Sequence, residues 1–260
     1  MQGASPVIFG LEFPPLSHIV DWPVFLFEDT PFGVNKVVLV YVAAVLLTML
    51  IFILGNQRKL VPSGAQNLAE SSVNFVEDGI IMQSMGPRGL KWAPMLTAMF
   101  FFIFFCNIFE VVPGVQMPAT ARIALPMFLA IFVWFVFNIA GMIEHGPIGY
   151  LKHSLIPPGV PVGLLPIIVP IEFVSNFLVR PFSLMVRLFA NLLAGHILLV
   201  TFAVLTAALW TTEWYAVFLP LPLFAVIFFV AFEILVSFLQ AYVFTLLTAV
   251  YIDSATSHEH

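Results

Sequence analysis

Long apolar runs, separated by short polar segments, dominate the pattern along the chain. Each run exceeds 18 residues, which is enough for a helix to cross the hydrocarbon core of a bilayer. A membrane β-barrel would instead show strands of about ten residues with alternating polarity. The runs cover approximately residues 35–54, 91–112, 122–143, 166–210 and 221–252. The pattern therefore predicts an all-α integral membrane fold with five membrane-crossing helices.

The last two runs are longer than a perpendicular crossing requires. Run 166–210 would extend about 67 Å as a continuous helix and run 221–252 about 48 Å, whereas the hydrocarbon core is roughly 30 Å thick. No cluster of Gly, Pro and Asn interrupts residues 182–209, so a tight hairpin would lack its turn residues. We therefore predict two long, strongly tilted helices.

One further segment, residues 62–85, is too polar to cross a membrane but has apolar residues at helical spacing. They are Leu68, Val73, Phe75, Val76 and Ile80. This spacing favours an amphipathic helix that lies in the membrane interface over a loop.

Basic residues near the predicted helix ends indicate how the chain is oriented, because cytoplasmic segments are enriched in Lys and Arg. Five fall on one side of the bundle, Arg58, Lys59, Arg88, Lys91 and Lys152, and two on the other, Lys36 and Arg122. We expect the N-terminus outside and the C-terminus in the cytoplasm. The single membrane domain, 1–260, then comprises an extracytoplasmic leader (1–33), three crossings with the interfacial helix (34–163), two long tilted helices (164–252) and a cytoplasmic tail (253–260).

Composition agrees with a membrane protein, since 61% of the residues are hydrophobic and only 9% are charged. The net charge of −5 argues against a nucleic-acid partner. The GxxxxGK motif is absent, so we expect no nucleotide to bind to this chain. Glu144, His145 and His153 fall in a Gly- and Pro-rich segment without metal-ligand spacing. We interpret that segment as a solvated loop and predict neither a metal nor a cofactor.

Arg187 lies deep in the fourth run, where a charged residue is costly. An arginine at the bilayer centre costs from about 3 kcal/mol to more than 10, depending on the method. It also stays protonated in proteins, so it needs a carboxylate or a water-filled cavity. No Asp or Glu lies within one helical turn of Arg187. We therefore expect its countercharge to come from another helix.

Helical periodicity assigns the polar residues of the fourth run to two faces. At 100° per residue, one stripe contains Arg180, Ser183, Arg187, Ala190, Asn191 and Ala194. His196 points about 180° away from Arg187. The stripe is polar and has small side chains, as a close contact between helices requires. We expect the stripe to meet a partner and His196 to line an aqueous path.

The fifth run carries a single acid, Glu233, on the same helical face as Ser237, Gln240 and Phe244. If the two long helices are antiparallel and Arg187 is level with Gln240, His196 and Glu233 reach similar depths, about 13 and 10 Å toward the outside. Two protonatable groups at one depth favour a wet path that enters from the outside.

Two segments, "RPFSLMVRLFANLLAGH" and "FEILVSFLQAYVFTLLTAVYI", resemble subunit a of the F-type ATP synthase, the membrane stator that conducts protons. The first segment supplies Pro181, Ser183, Arg187-Leu188, Asn191 and Ala194-Gly195-His196, and the second supplies Glu233, Gln240, Ala241 and Phe244. The resemblance extends more loosely over the rest of the chain, including "KWAPMLTAMFFFIFFCNIFEVVPG". The start of the chain and the segment "SNFLVRPF" look bacterial, and more specifically actinobacterial, so we expect the plasma membrane, with the mitochondrial inner membrane as the alternative.

The resemblance implies specific partners and residue roles. A rotating ring of c subunits, each with one carboxylate in the membrane, would supply the countercharge for Arg187, and b-type subunits of the peripheral stalk would bind elsewhere. His196 and Glu233 would belong to an outer half-channel, with Asn191 and Gln240 near the arginine. Glu172, with Ser175 and Asn176, is a possible inner half-channel. The chain itself would be non-catalytic and without cofactor.

Several alternatives remain open at this stage. In one alternative Arg187 only forms a structural ion pair, and in another Arg180 extends to the lipid headgroups without a transport role. A third alternative is that Asn191 and Gln240 only join the two helices through a hydrogen bond. For the whole chain, the alternatives are a secondary transporter of a small anionic substrate and an assembly scaffold. We find no internal repeat typical of transporters, and a scaffold leaves His196 and Glu233 unexplained.

Overall fold

A computed structural model describes residues 7–8, 11–12, 35–55, 64–112, 115, 119–156, 160–211 and 213–257. Two short strands near the start, β1 (Val7–Ile8) and β2 (Leu11–Glu12), pair antiparallel. The rest of the predicted leader, residues 1–33, lies outside the described residues. The other regular elements described are helices, which confirms the predicted all-α class.

Five helical segments in the described parts of the chain are long and apolar enough to cross a membrane. They are Lys36–Gly55, Gly86–Ile108, Ala124–His145, Leu165–Leu209 and Ala216–Thr256. The predicted number of crossings is therefore confirmed. The second segment starts five residues before the predicted run, because a 3₁₀ turn at Gly86–Trp92 leads into it. It ends four residues before the predicted end at 112.

The first crossing is α1 (Lys36–Gly55), and an amphipathic segment follows it. This segment consists of α2 (Ala65–Val76), a π-helical turn (Glu77–Ile81) and α3 (Met82–Ser84). One side of it packs into the bundle through buried Ala69, Val76, Ile80 and Ile81, while Leu68 is exposed. The structure thus has a helix where the amphipathic pattern predicted one.

The second and third crossings are α4 (Ala93–Ile108) and α5 (Ala124–His145), with a 3₁₀ turn at Ala119–Ala121 between them. The segment after α5 was predicted to be a loop, and this prediction was wrong for α6 (Pro147–Leu155). Pro147 stands at the first helical position, where a missing N–H costs nothing.

A buried aromatic contact stabilises α6. The Tyr150 ring packs against Gly141 of α5 at the place where a Cβ of residue 141 would lie. The Tyr150 hydroxyl donates a hydrogen bond to Asn138 Oδ1 over 3.1 Å. These tertiary contacts hold the short helix against the bundle despite the surrounding glycines and prolines.

The fourth crossing is one helical segment of 45 residues, so it contains no hairpin. After a 3₁₀ turn (Val162–Leu164) it consists of α7 (Leu165–Val174), a π-helical turn (Ser175–Val179) and α8 (Arg180–Leu209). The π turn ends just before Pro181, which has no N–H to donate and whose ring crowds the carbonyl four residues earlier. A widened turn accommodates this residue without breaking the helix.

The fifth crossing contains a 3₁₀ turn (Trp214–Phe218) and α9 (Pro220–Thr256), which has 37 residues. The helix continues four residues beyond 252, so the predicted tail begins inside it. At 1.5 Å per residue α9 is about 55 Å long, which requires a strong tilt in a bilayer.

Helix α9 is the centre of the bundle and packs against α4, α5 and α8. The core between these helices is formed by large, fully buried side chains that include Leu96, Phe137, Leu188, Phe244 and Ile252. Outside, large apolar side chains such as Leu46, Ile53, Phe128 and Phe224 are exposed. Such a surface suits contact with lipid chains.

Candidate polar site within the helix bundle

Helix α8 presents two different faces, as its periodicity predicted. Its surface face carries Arg187, Ala190, Asn191 and Ala194, which are all exposed. Ser183 lies on the same face and is half-buried. Its buried face contains Leu184, Leu188, Leu192 and His196. The arginine stripe therefore lies on the outside of the bundle, and His196 points into it.

Arg187 makes no hydrogen bond or ion pair with any residue that the structure describes. It lies on the open face of α8, between small side chains. A guanidinium in this position requires an anion or water from outside the chain. The alternative of an ion pair within the chain finds no support among the described residues.

Next to the arginine, the two long helices are joined through their amides. Asn191 Nδ2 donates a hydrogen bond to Gln240 Oε1 over 3.2 Å. Asn191 lies at the surface and Gln240 is buried, so the pair links the exposed stripe to the interior. The residue level with Gln240 is therefore Asn191, one turn along α8 from Arg187.

One turn further along α8, His196 contacts an acid that the sequence analysis missed. His196 Nδ1 lies 3.1 Å from Glu110 Oε1, and both side chains are buried. Burial raises the pKa of the Glu110 carboxyl, while the hydrogen bond and the charge of His196 act in the opposite direction. The available signal was Glu110 itself, an acid that directly follows the apolar run "FFIFFCNIF".

Glu233 reaches the same level from α9. Its carboxylate lies against Gly195, the residue that precedes His196, in the space that a side chain at position 195 would need. Glu233 is also buried, and its Oε2 has no hydrogen-bond partner among the described residues. The predicted common depth of His196 and Glu233 is thus present in the fold, and Glu110 completes a buried cluster of three titratable groups.

A second polar group forms around the π turn at the opposite end of the long segment. Asn176 Nδ2 donates to the Ser154 carbonyl over 2.8 Å and to Glu172 Oε2 over 3.2 Å. Ser175 begins the π turn and is half-buried. Sequence reasoning named Glu172, Ser175 and Asn176, and the structure places them together on one turn.

Arg180 starts α8 and contacts the last helix. Its guanidinium lies over the Tyr251 ring of α9, with Cζ 5.0 Å from the ring centroid. A cation–π contact of this kind is worth about 0.5–2 kcal/mol. Arg180 thus packs on α9. A side chain that only extended to the lipid headgroups would not make this contact.

The comparison with known proteins identifies the family. The family model of the ATP synthase A chain matches residues 37–253. The chain belongs to this family. The matched part covers nearly the whole of the five crossings and includes Glu110, Arg187, His196 and Glu233.

Relatives named "ATP synthase subunit a" come largely from actinobacteria. The chain is 40% identical to that of Rhodococcus erythropolis over 237 residues, which is 90% of this chain and 86% of the relative. It is 45% identical to that of a Parafrankia species over 199 residues, 76% and 67% of the two chains. It is 41% identical to that of Acidiphilium cryptum over 230 residues, 87% and 88% of the two chains. The chain is accordingly a non-catalytic, proton-translocating stator subunit of the membrane sector, and the alternative of a secondary transporter is not supported.

Proposed function

We propose that protons pass through this subunit by two half-channels that meet at Arg187 and exchange with the carboxylates of a rotating c-ring. The observation that carries the proposal is the exposed Arg187, which has no partner among the described residues and lies on a face of small side chains. A ring helix with an acid in the membrane fits this face in both shape and charge.

Arg187 holds a charged ring carboxylate long enough for its neighbours to exchange protons. At about 4 Å the attraction is worth about 4 kcal/mol at an effective dielectric constant of 20. The membrane potential supplies about 2.3 kcal/mol per charge and 100 mV. The two energies are comparable, so each step of the ring can break the contact. The fixed positive charge also repels a proton that would otherwise leak between the half-channels.

The outer half-channel contains the buried cluster of Glu110, His196 and Glu233. All three groups can take up and release a proton, and they lie at one level between α8, α9 and the end of α4. Gln240 lies two turns from Glu233 along α9 and bonds to Asn191 of the arginine stripe. A proton that enters at the cluster therefore has polar side chains on its way toward the ring.

The inner half-channel contains Glu172, Ser175 and Asn176. The hydrogen bond from Asn176 fixes one oxygen of the Glu172 carboxylate, and Glu172 is only partly buried, so the carboxylate is accessible from outside the bundle. The stripe residue Ser183 lies between this group and Arg187 on the same helical segment.

The whole subunit then lies in the bacterial plasma membrane with its N-terminus outside and its C-terminus in the cytoplasm. The basic residues named above support this orientation. Peripheral-stalk b-type subunits, which anchor the stator, bind away from the arginine stripe. The subunit needs no cofactor, metal or nucleotide for this role.

Replacement of Arg187 tests the proposal. In inverted membrane vesicles with the whole complex, Arg187→Ala abolishes ATP-driven acidification while the complex stays assembled. Arg88→Ala is the matched control, because Arg88 is exposed and lies outside the last two crossings. Normal acidification by the Arg187→Ala complex would refute the function proposed for this residue.

A second pair of variants tests the outer half-channel. Glu233→Gln combined with His196→Ala slows proton entry from the outer side, measured as passive conductance through vesicles from which the soluble ATPase sector has been removed. Unchanged conductance would rule out a transport role for the two residues.

A further inference from the structure

A cavity of about 300 Å³ lies where the ends of three crossings meet. The second crossing begins there at Gly86, the third ends at His145 and the fifth ends at Thr256. Crossings end at the interface between hydrocarbon and water, where the headgroups of phospholipids lie. The cavity is therefore at the depth of the headgroups, and its volume is at the lower limit of ligand pockets.

One part of the cavity wall is basic and comes from the 3₁₀ turn Gly86–Trp92. It carries Arg88 and Lys91, the basic pair, which are both exposed. Side chains three residues apart in a 3₁₀ turn lie on the same side of it. Neither residue forms an ion pair in the part of the chain that the structure describes, although Lys91 Nζ lies 5.9 Å from the centroid of the Trp92 ring. The basic pair can therefore bind an anion from outside the chain.

Another part of the wall is acidic and comes from the ends of two helices. Glu144 lies in the last turn of α5 and Asp253 in the last turn of α9, and we call them the acidic pair. The C-terminal end of a helix has a partial negative charge, so basic residues are favoured there. The last turn of α9 contains no basic residue and carries an acid instead. Asp253 forms no ion pair with a described residue, even though the basic pair lines the same cavity. Both the acids and the helix ends favour a cation at this side of the cavity.

The two pairs together fit a ligand that carries both charges. A phosphate accepts hydrogen bonds from Arg and Lys, and a primary ammonium donates hydrogen bonds to carboxylates. Phosphoethanolamine, the headgroup of phosphatidylethanolamine, has these two groups at the ends of a short linker. An anionic headgroup would leave the acidic pair uncompensated, and a metal cation would leave the basic pair uncompensated. A choline headgroup has no N–H to donate and is typically bound by aromatic rings, whereas the described residues that line the cavity include no aromatic ring.

We propose that this cavity binds the headgroup of phosphatidylethanolamine, with the phosphate on the basic pair and the ammonium on the acidic pair. The acyl chains of the same lipid have an apolar surface beside each pair. Leu90, the neighbour of Lys91, is 43% exposed, and Ile143, the neighbour of Glu144, is 78% exposed. The site is separate from the proposed proton path, because none of its residues belongs to either half-channel.

The test uses the assembled complex in phosphatidylcholine vesicles and a phosphatidylethanolamine with a diazirine near the start of one acyl chain. After illumination, mass spectrometry maps the labelled residues of this subunit. We expect label at or beside Leu90 and Ile143. Unlabelled phosphatidylethanolamine should compete for these positions better than phosphatidylcholine or phosphatidylglycerol. Equal competition by phosphatidylcholine would mean that the ammonium is not recognised, and stronger competition by phosphatidylglycerol would mean a site for anionic lipid only. Either result would overturn the proposal.

Variants then separate the two pairs. Lys91→Gln should lower the labelling severalfold, because the phosphate loses a charge-assisted hydrogen bond, and Lys91→Arg should restore it. Asp253→Asn should remove the preference for phosphatidylethanolamine over phosphatidylcholine. Lys152→Gln and Asp78→Asn are the matched controls, since both residues are exposed and charged but lie outside the cavity. Labelling is compared at equal amounts of assembled complex, and the competition in the parent complex decides the question even where a variant does not assemble. Labelling and lipid preference of Lys91→Gln and Asp253→Asn equal to those of the controls would also overturn the proposal.

Discussion

Gly195 of α8 lies directly against the carboxylate of Glu233 on α9, so that any side chain at position 195 would occupy the space of the carboxylate. This contact brings a titratable group of one long helix to the backbone of the other. It also sets Glu233 beside His196, the next residue of α8. The close approach of the two helices at this level therefore depends on the absence of a Cβ at position 195.

We expect Gly195→Ala to reduce ATP-driven proton pumping strongly, because the added methyl group displaces the Glu233 carboxylate. Overpacking of this kind typically costs about 1–3 kcal/mol. Gly149→Ala is the control, since a Cβ there meets the His145 Cβ at an ordinary 3.6 Å. Acidification rates in inverted vesicles with equal amounts of complex measure both effects. Pumping by the Gly195→Ala complex at the rate of the control would show that the position of Glu233 does not matter.

The Glu110 carboxyl should titrate above the range of an ordinary glutamate, because burial raises its pKa. His196 lowers this pKa, so His196→Leu should raise it further, and Glu110 should then keep its proton to a higher pH. Infrared spectra of the purified complex, recorded against pH, follow the carbonyl stretch of the protonated acid. Glu110→Gln identifies the band by removing it. A band that moves to lower pH in His196→Leu would contradict this electrostatic account.

Periodicity within one helix was a better guide to the site than any feature that links distant parts of the chain. Arg187 and His196 belong to the same helix, where 100° per residue fixes their faces, and the structure has them on opposite sides. The His196–Glu110 contact joins positions 86 residues apart and depends on how the segment after α4 approaches α8, which no local pattern contains.

The two local errors have a similar origin. Residues 147–155 contain the glycine and proline residues expected of a loop, yet α6 forms because Tyr150 packs against α5. The π turn at Ser175–Val179 also escaped prediction, since one widened turn does not change the apolar pattern of a long crossing. A tertiary contact determined the backbone conformation in the first case and a single proline did so in the second. Hydrophobic spacing along the sequence indicates neither.

Asn176 should position Glu172 for proton exchange on the inner side. Asn176→Ala removes the hydrogen bonds to Glu172 and to the Ser154 carbonyl, and a bond to a charged group is typically worth about 1.5–3 kcal/mol. We expect a severalfold loss of ATP-driven pumping without loss of the complex. Thr206→Ala is the control on the same segment, because Thr206 bonds only to its own helix. If the two variants pump equally well, the inner half-channel does not depend on this amide.

The exposed stripe of α8 should be the surface that meets the moving partner, and cross-linking tests this from the positions beside the arginine. Ala190→Cys and Ala194→Cys place a thiol on the stripe, whereas Ile139→Cys places one on an exposed position of α5. Cys106 is fully buried and should not react.

A photoreactive maleimide on these thiols, used in intact membranes, should capture one small membrane subunit from positions 190 and 194. Mass spectrometry of the product should find in that subunit a helix with a single acid inside its apolar run, because the unpaired charge of Arg187 requires such a neighbour. Capture of lipid alone at both positions, or of the same subunit from position 139, would place the partner elsewhere.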